Sequence, residues 1–221
     1  MNPSPLGTEE VLVLVQDVVA RLVTPRFGHL GEGDVASKRR PGDLVTVADR
    51  EAELELTRLL RGAHPGVLVV GEEAVAADPA LVRALPHAEH AFTVDPVDGT
   101  RHFVAGSPDH ATMLAELHRC EVLRAWIWQP QHGRAYVAER GAGAWVDGVR
   151  LAPPAGGAPG RGWTGTCCGV DYPRLASGEA GWAAYLKQKP LDHLPGGLLL
   201  TEAGGTVRRR GPLLVARSAR R

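Results

Sequence analysis

No run of eighteen apolar residues occurs anywhere in this 221-residue sequence, which excludes an ordinary membrane-spanning helix. The opening residues Asn2, Pro3 and Ser4 lack the basic region leading into an apolar one that marks a secretory leader, so a cytoplasmic location is expected. Cysteine is scarce. Cys120, Cys167 and Cys168 form neither an even disulfide framework nor a CxxC metal spacing, which fits a reducing compartment and makes the adjacent Cys167 and Cys168 packed thiols. Charge of one sign is not in excess either. With 25 basic and 25 acidic residues, the chain lacks the surplus by which binders of nucleic acid polymers neutralise phosphates. The one basic cluster, Arg208, Arg209, Arg210, Arg217, Arg220 and Arg221, reads as a solvated tail. No GxSxG elbow, Walker loop or dinucleotide GxGxxG stands in a suitable setting, which removes support from those chemistries.

What is present is an ordinary globular composition, 44% hydrophobic and 23% charged. The length suffices for one large domain or two small interlocked ones. From Thr8, read as an N-cap with Glu9 and Glu10 behind it, the apolar residues Val11, Val15, Val18 and Leu22 recur at helical spacing until Pro25. A second helix is predicted to start near Thr46, to carry Ala48, Ala52, Leu56 and Leu59 on one face and to stop near Gly62. Val67 to Val70 reads as a buried strand ending at Gly71, Glu72 and Glu73, and Ala91 to Val94 as another ending at Asp95. Residues 111–151 alternate as an antiparallel meander, with turns at 119–121, 131–133 and 140–143. The Pro- and Gly-rich segment 152–162 is the candidate linker, dividing an N-terminal α+β part, residues 1–151, from a C-terminal α/β part, residues 163–221. The latter is expected to hold strands near Trp163 and Trp182, a helix over 192–203 and two terminal strands.

The informative feature is the placement of the acids. Glu72 and Glu73 end one strand, Asp95 ends the next, and Asp98 follows within DPVDGT. Strands that end at one sheet edge deliver their terminal side chains to a common site. Clustered carboxylates stay ionised only beside cations, and an all-oxygen donor set selects a hard ion such as magnesium or manganese over zinc. Pro96 fixes its own φ and lets the chain turn while Asp95 and Asp98 point the same way, with the Val97 carbonyl beside them. Gly99 and Thr100 would offer backbone N–H groups to a phosphate. Taken singly, the same residues have plainer readings: Asp49 as the fourth member of a capping box with Thr46, Asp192 as an N-cap, Glu72 and Glu73 as strand-end charges. His102, His110, His132 and His193 have no metal-ligand spacing, and the Trp126 and Trp128 pair reads as strand packing.

In order along the chain, Lys38, GDLVTVADREAE (42–53), GEE (71–73), DPVDGTRHF (95–103) and LDHLPGGLLLTEAGG (191–205) resemble the inositol monophosphatase family. The resemblance implies a layered α-β-α-β-α sandwich with a shortened C-terminal half, often assembled as a homodimer, most of whose metal ligands lie in residues 1–151. It implies two or three Mg2+ ions, one held by Glu72, Asp95 and the Val97 carbonyl, a second by Asp95, Asp98 and Asp192, with Glu72 able to touch a third. Asp49, Glu72 and Thr100 would be catalytic; Gly99, Thr100, Asp192 and Lys38 would bind substrate, and Glu73 would support the site. The implied activity is hydrolysis of a small phosphorylated metabolite, an inositol, polyol or sugar monophosphate. The family's other substrates are 3′(2′),5′-bisphosphate nucleotides, fructose 1,6-bisphosphate and histidinol phosphate, and a degenerate metal-binding member is the non-enzymatic alternative. The family usually has Trp where Leu191 stands, so the pocket is expected to lack one wall.

Overall fold

A computed structural model of the chain describes residues 6–38, 44–152, 162–164, 167–186 and 188–219, with 162–164 described by their backbone alone. Helix α1 (Thr8–Val18) buries Val11, Val15 and Val18, then widens into a π turn over 19–23 and tightens into a 3₁₀ turn over 24–26, where Pro25 ends it. Its cap is Gly7, not Thr8: the Gly7 N–H donates to Glu10 Oε2 at 2.6 Å, while the Thr8 hydroxyl reaches across to Glu139. A short hairpin of β1 (Val35–Ser37) and β2 (Leu44–Thr46) leads into α2 (Val47–Ala63). Thr46 caps that helix, and the reciprocal pair of Thr46 and Asp49 occupies its first turn. Ala48, Ala52, Leu56 and Leu60 line the buried face, so the stripe ends on Leu60 and not on the expected Leu59.

Seven strands form the large sheet: β3 (Leu68–Gly71), β4 (His90–Asp98), β5 (Ala111–His118), β6 (Glu121–Gln129), β7 (Arg134–Glu139), β8 (Gly143–Val146) and β9 (Val149–Arg150), in that spatial order. Within this sheet, among the described residues, only β3 and β4 run parallel; the short helices α3 (Glu72–Ala77) and α4 (Ala80–Ala84) make the crossover between them. The alternation of side chains along β4 to β7 gives each face its own core. Phe92, Val94, Leu114, Trp126 and Val137 face α1 and α2, whereas Met113, Ala115, Ile127 and Ala138 face the opposite side. Trp126 is fully buried and its indole N–H donates to the Thr8 carbonyl at 2.9 Å, which ties α1 to the meander.

After β4 comes the short helix α5 (Thr100–Val104); the second face is covered by α6 (Cys168–Ala176) and α7 (Pro190–Glu202), and α7 spans β5, β6 and β7 on one side and β12 on the other. Beyond them lies a four-stranded sheet in the order β10 (Gly162–Thr164), β11 (Trp182–Tyr185), β13 (Leu213–Arg217), β12 (Thr206–Arg210). Helices, large sheet, helices and small sheet thus follow in order, giving among the described residues the first four layers of the expected α-β-α-β-α sandwich. The linker predicted at 152–162 falls on residues 153–161, outside the described set, as do Gly42, Asp43, Arg220 and Arg221. Arg208, Arg209 and Arg210 are not a tail: they form most of edge strand β12, paired antiparallel with β13. Exposed charge on an edge discourages a further strand from adding there.

The core assignment of α2 has a direct check. Leu56→Ala, which empties a fully buried position, should cost about 2–5 kcal/mol of unfolding free energy. Leu54→Ala, at 71% exposure on the same helix, should change it by less than about 0.5 kcal/mol. Urea denaturation of both variants measures the contrast.

Candidate metal centre

In a regular strand residues i and i+3 point to opposite faces, so Asp95 and Asp98 would diverge. They do not, because β4 bulges between them. Asp95 pairs with Met113 and Asp98 with Ala111, three steps on one strand against two on the other. Met113 and Ala111 share a face, and their partners therefore do too. Pro96, which has no N–H to offer the ladder, sits within this bulge, and its carbonyl accepts the Thr112 hydroxyl at 2.7 Å. The strand expected to stop at Asp95 continues to Asp98, so the two acids converge through a bulge and not through a turn.

Four helix starts close on this strand end. The first turn of α2 supplies Asp49, whose Oδ2 accepts from the Thr46 N–H at 2.8 Å and the Thr46 hydroxyl at 2.5 Å. That leaves Oδ1 to Thr100, whose hydroxyl lies 3.2 Å from it and 3.0 Å from the Val97 carbonyl. The start of α3 supplies Glu72 and Glu73. The N-terminus of α6 holds Asp98, whose Oδ2 accepts from the Gly169 N–H at 2.5 Å and the Cys167 thiol at 2.9 Å. Asp192 comes from the first turn of α7. Gly99 turns the chain out of β4 at φ +83°, where a Cβ would press on Cys167 Sγ at 2.9 Å and on the Asp109 carbonyl at 3.1 Å.

Packing like charges this closely has a strong electrostatic consequence. Asp95 is 3% exposed, its Oδ1 has no hydrogen-bond partner among the described residues, and burial raises its pKa well above the usual range, followed by the charges of Glu72, Asp98, Asp192 and Asp49. Asp98 is pushed up to about 7 by burial and then by Asp192, against its two donors. Burial brings Asp49 to about 6, opposed by the Thr46 hydrogen bonds. Two lysines answer the charge. Lys38 Nζ lies 3.2 Å from Glu72 and 2.5 Å from Glu73; burial pulls its pKa down, but the two glutamates outweigh it and the net shift is upward. Lys189, at the head of α7, reaches Glu72 at 3.2 Å and is likewise raised, burial being outweighed by Asp192 and Glu72.

All the residues singled out in the sequence meet here: Lys38, Asp49, Glu72, Glu73, Asp95, Val97, Asp98, Gly99, Thr100 and Asp192. Among the described residues, one oxygen each of Asp49, Glu72 and Glu73 lie within 4.8 Å of one another, close enough to share an ion. This trio cuts across the expected ligand sets, which took only Glu72 from it. An unpartnered, buried Asp95 oxygen in an all-oxygen cluster fits a hard divalent cation. Leu191, where the family usually has Trp, is a buried core residue, 3% exposed. Sequence reasoning gave no role to Glu53, Lys189, Cys167 or Gly169. Glu53 follows Asp49 by four residues on α2, a one-face spacing that was its only signal. Its two oxygens accept the Glu73 and Ala74 N–H groups at 2.7 and 2.8 Å and so anchor α3. A cavity of about 850 Å³ beside α1, lined by Thr8, Gln16, Trp128 and Trp145, contains none of these acids.

A mixed sheet whose bulged strand gathers buried acids against four helix starts defines a layered α/β protein with a carboxylate-lined centre. The model of the Inositol monophosphatase family matches residues 8–159, well over half of the sequence, and the chain belongs to that family. It is 32% identical over 109 residues to a putative Nus factor SuhB of Neisseria meningitidis, covering 49% of this chain and 40% of that protein. It is 33% identical over 141 residues to the inositol-1-monophosphatase of Rhizobium meliloti, covering 63% of this chain and 50% of the relative. The chain thus spans half the length, or less, of these curated relatives. A solved IMPase/NADP phosphatase, complexed with Mg2+ and phosphate, superposes with a TM-score of 0.75 at 20% identity, over 94% of this chain and 87% of that one. That likeness bears on the fold.

Glu53 offers a signed test of the electrostatics. Burial lifts its pKa to about 7, against the two N–H donors, from an unfolded value of about 4.3. A raised acid contributes full stability below its unfolded pKa and loses it as pH climbs to the folded one. Glu53→Gln cannot ionise, so in chelator its stability relative to the parent should improve between pH 4.5 and 7, by as much as about 3 kcal/mol. Denaturation at several pH values reads the trend.

Proposed function

We propose that the chain is a magnesium-dependent phosphatase acting on a small phosphate monoester, an inositol, polyol or sugar phosphate. The carrying observation is the buried Asp95 oxygen without a partner, ringed by Glu72, Asp98, Asp192 and Asp49. In this reading Glu72, Asp95 and the Val97 carbonyl hold one ion, and Asp95, Asp98 and Asp192 a second. The trio of Asp49, Glu72 and Glu73 suits a third. Magnesium, when bound, supplies positive charge to the phosphate and makes a nearby water more acidic.

The chain's own residues then have distinct tasks. Cys167 and Gly169 hold one oxygen of Asp98 and so turn the other outward. Thr46 does the same for Asp49, leaving Oδ1 for the Thr100 hydroxyl. The Thr100 and Asp49 pair, joined by a hydrogen bond of 3.2 Å, can accept a proton from an attacking water. Gly99 and Thr100 present backbone N–H groups to phosphate oxygens, and Lys38, with Lys189 beside it, supplies positive charge at Glu72 and Glu73. In this reading Asp192 meets the leaving group.

The leaving-group side favours a polyol over an adenine nucleotide. Tyr172 and Tyr185, aromatic candidates for stacking on a base, are buried and stacked on each other at 5.6 Å, with His193 edge-on to both. Trp182 remains exposed, and the Trp163 side chain lies outside the described residues. The same reading includes a cytoplasmic homodimer; among the described residues no helix is long and apolar enough to cross a membrane. A second reading, a metal-binding member that does not hydrolyse, is favoured by the similarity to a protein named a putative Nus factor. The hydrogen-bonded pair of half-buried Thr100 and buried Asp49 favours hydrolysis, since metal binding alone does not require it.

Phosphate release should depend on magnesium and vanish in excess chelator. Asp98→Asn and Asp192→Asn should stay folded by circular dichroism yet lose roughly a hundredfold or more in turnover at saturating magnesium, comparable to removing one electrostatic contact to the transition state. The assay is a panel of inositol 1-phosphate, fructose 1,6-bisphosphate, histidinol phosphate and 3′-phosphoadenosine 5′-phosphate. No magnesium-dependent release from any of them would favour the non-enzymatic reading.

A further inference from the structure

His64, at the end of α2, His90, the first residue of β4, and Glu116, on β5, come together at the opposite end of these elements from the acids. We propose that His64, His90 and Glu116 form a second metal site, for a borderline transition dication such as zinc. One ligand atom from each lies within 4.8 Å of the other two. In a tetrahedral zinc site, donors about 2.0–2.2 Å from the ion stand about 3.3 Å apart, so small side-chain rotations bring the three into range.

The surroundings are those of a prepared site. His64 and Glu116 are each 3% exposed, while His90 is half-buried and leaves a route in. The two rings stand 5.1 Å apart at 74° and both pack on Phe92, at 5.1 and 5.4 Å, which limits their rotation. Glu116 Oε2 accepts from Arg124 at 2.5 Å, and Oε1 faces His90 Nε2 at 2.8 Å. Arg124 is itself held by the Leu6 carbonyl at 3.0 Å and the Thr8 hydroxyl at 3.3 Å, so it orients the carboxylate from outside. Burial and the neighbouring His90 hold the His64 pKa below its usual value, which keeps that imidazole in the neutral, ligating form. Two imidazoles and one carboxylate suit zinc, nickel or cobalt and not magnesium. Arg124 offsets part of the Glu116 charge, so binding is moderate in strength.

The site is separate from the acids. Five residues of β4 part His90 from Asp95, roughly 17 Å of strand, and fifteen residues of α2 part His64 from Asp49, about 22 Å of helix. A metal there ties the last turn of α2 to β4 and β5.

The test is zinc titration by calorimetry in excess magnesium, on a Cys120→Ser background that removes the exposed thiol. We expect saturable binding of zinc, at least tenfold weaker in His90→Gln and in His64→Gln, with magnesium-dependent phosphate release unchanged. Glutamine at 90 can still hydrogen-bond Glu116, so that variant keeps the local structure. Cobalt in the parent background should also give an exchangeable imidazole N–H resonance shifted by the paramagnetic ion. Zinc binding unchanged in both variants, or no saturable zinc binding and no shifted imidazole resonance, overturns the proposal.

Discussion

Repulsion among buried acids is the constraint around which one end of this molecule is organised. Asp95 sits at 3% exposure within reach of Glu72, Asp98, Asp192 and Asp49, and every element that meets there either supplies an acid or answers one. The Gly169 N–H and the Cys167 thiol neutralise one side of Asp98, Thr46 one side of Asp49, and two backbone N–H groups both sides of Glu53. Lys38 and Lys189 bracket Glu72. Asp49 gives Oδ2 to Thr46 and Oδ1 to the Thr100 hydroxyl, whereas Asp95 Oδ1 has no hydrogen-bond partner among the described residues. Residual charge of this density is stabilised by hard dications, which makes the fold at this end and the proposed chemistry two consequences of the same electrostatics.

Close approach is the second condition, and it is met by missing side chains. A Cβ on Gly71 would fall 2.2 Å from Glu53 Cδ, and one on Gly169 would fall 2.4 Å from Ala111 Cβ and 3.1 Å from Asp98 Oδ2. Backbone can therefore touch carboxylate at both places. These contacts join parts distant in sequence: Glu53 on α2 fastens the start of α3, and the start of α6 fastens the end of β4. The C-terminal layer is thus a structural part of the centre and not an appendage, since it brings Gly169, Lys189 and Asp192.

Where local patterns decide structure, the sequence was readable. The Thr46 and Asp49 pair marks the start of α2, the alternation from Ala111 onward marks the meander, and DPVDGT with GEE marks the acids. What could not be read depends on long-range pairing. The bulge between Asp95 and Asp98 exists only against Met113 and Ala111, so Pro96 was taken for a turn. Lys189 is 117 residues from Glu72, and His64, His90 and Glu116 are spread over three elements with no motif spacing. Leu191 packs into the core from the first turn of α7, a placement set by long-range packing. The arginines at 208–210 lack the apolar alternation of a buried strand because an edge strand with an exposed face does not need it.

The family likeness fixes the fold and leaves the work of this particular centre to be measured. Its most direct test is a crystal grown in manganese, with anomalous scattering recorded at the manganese edge. The account predicts peaks among Glu72, Asp95, Asp98 and Asp192, with oxygen ligands only. An absence of any anomalous peak within reach of Asp95 at saturating manganese would contradict it.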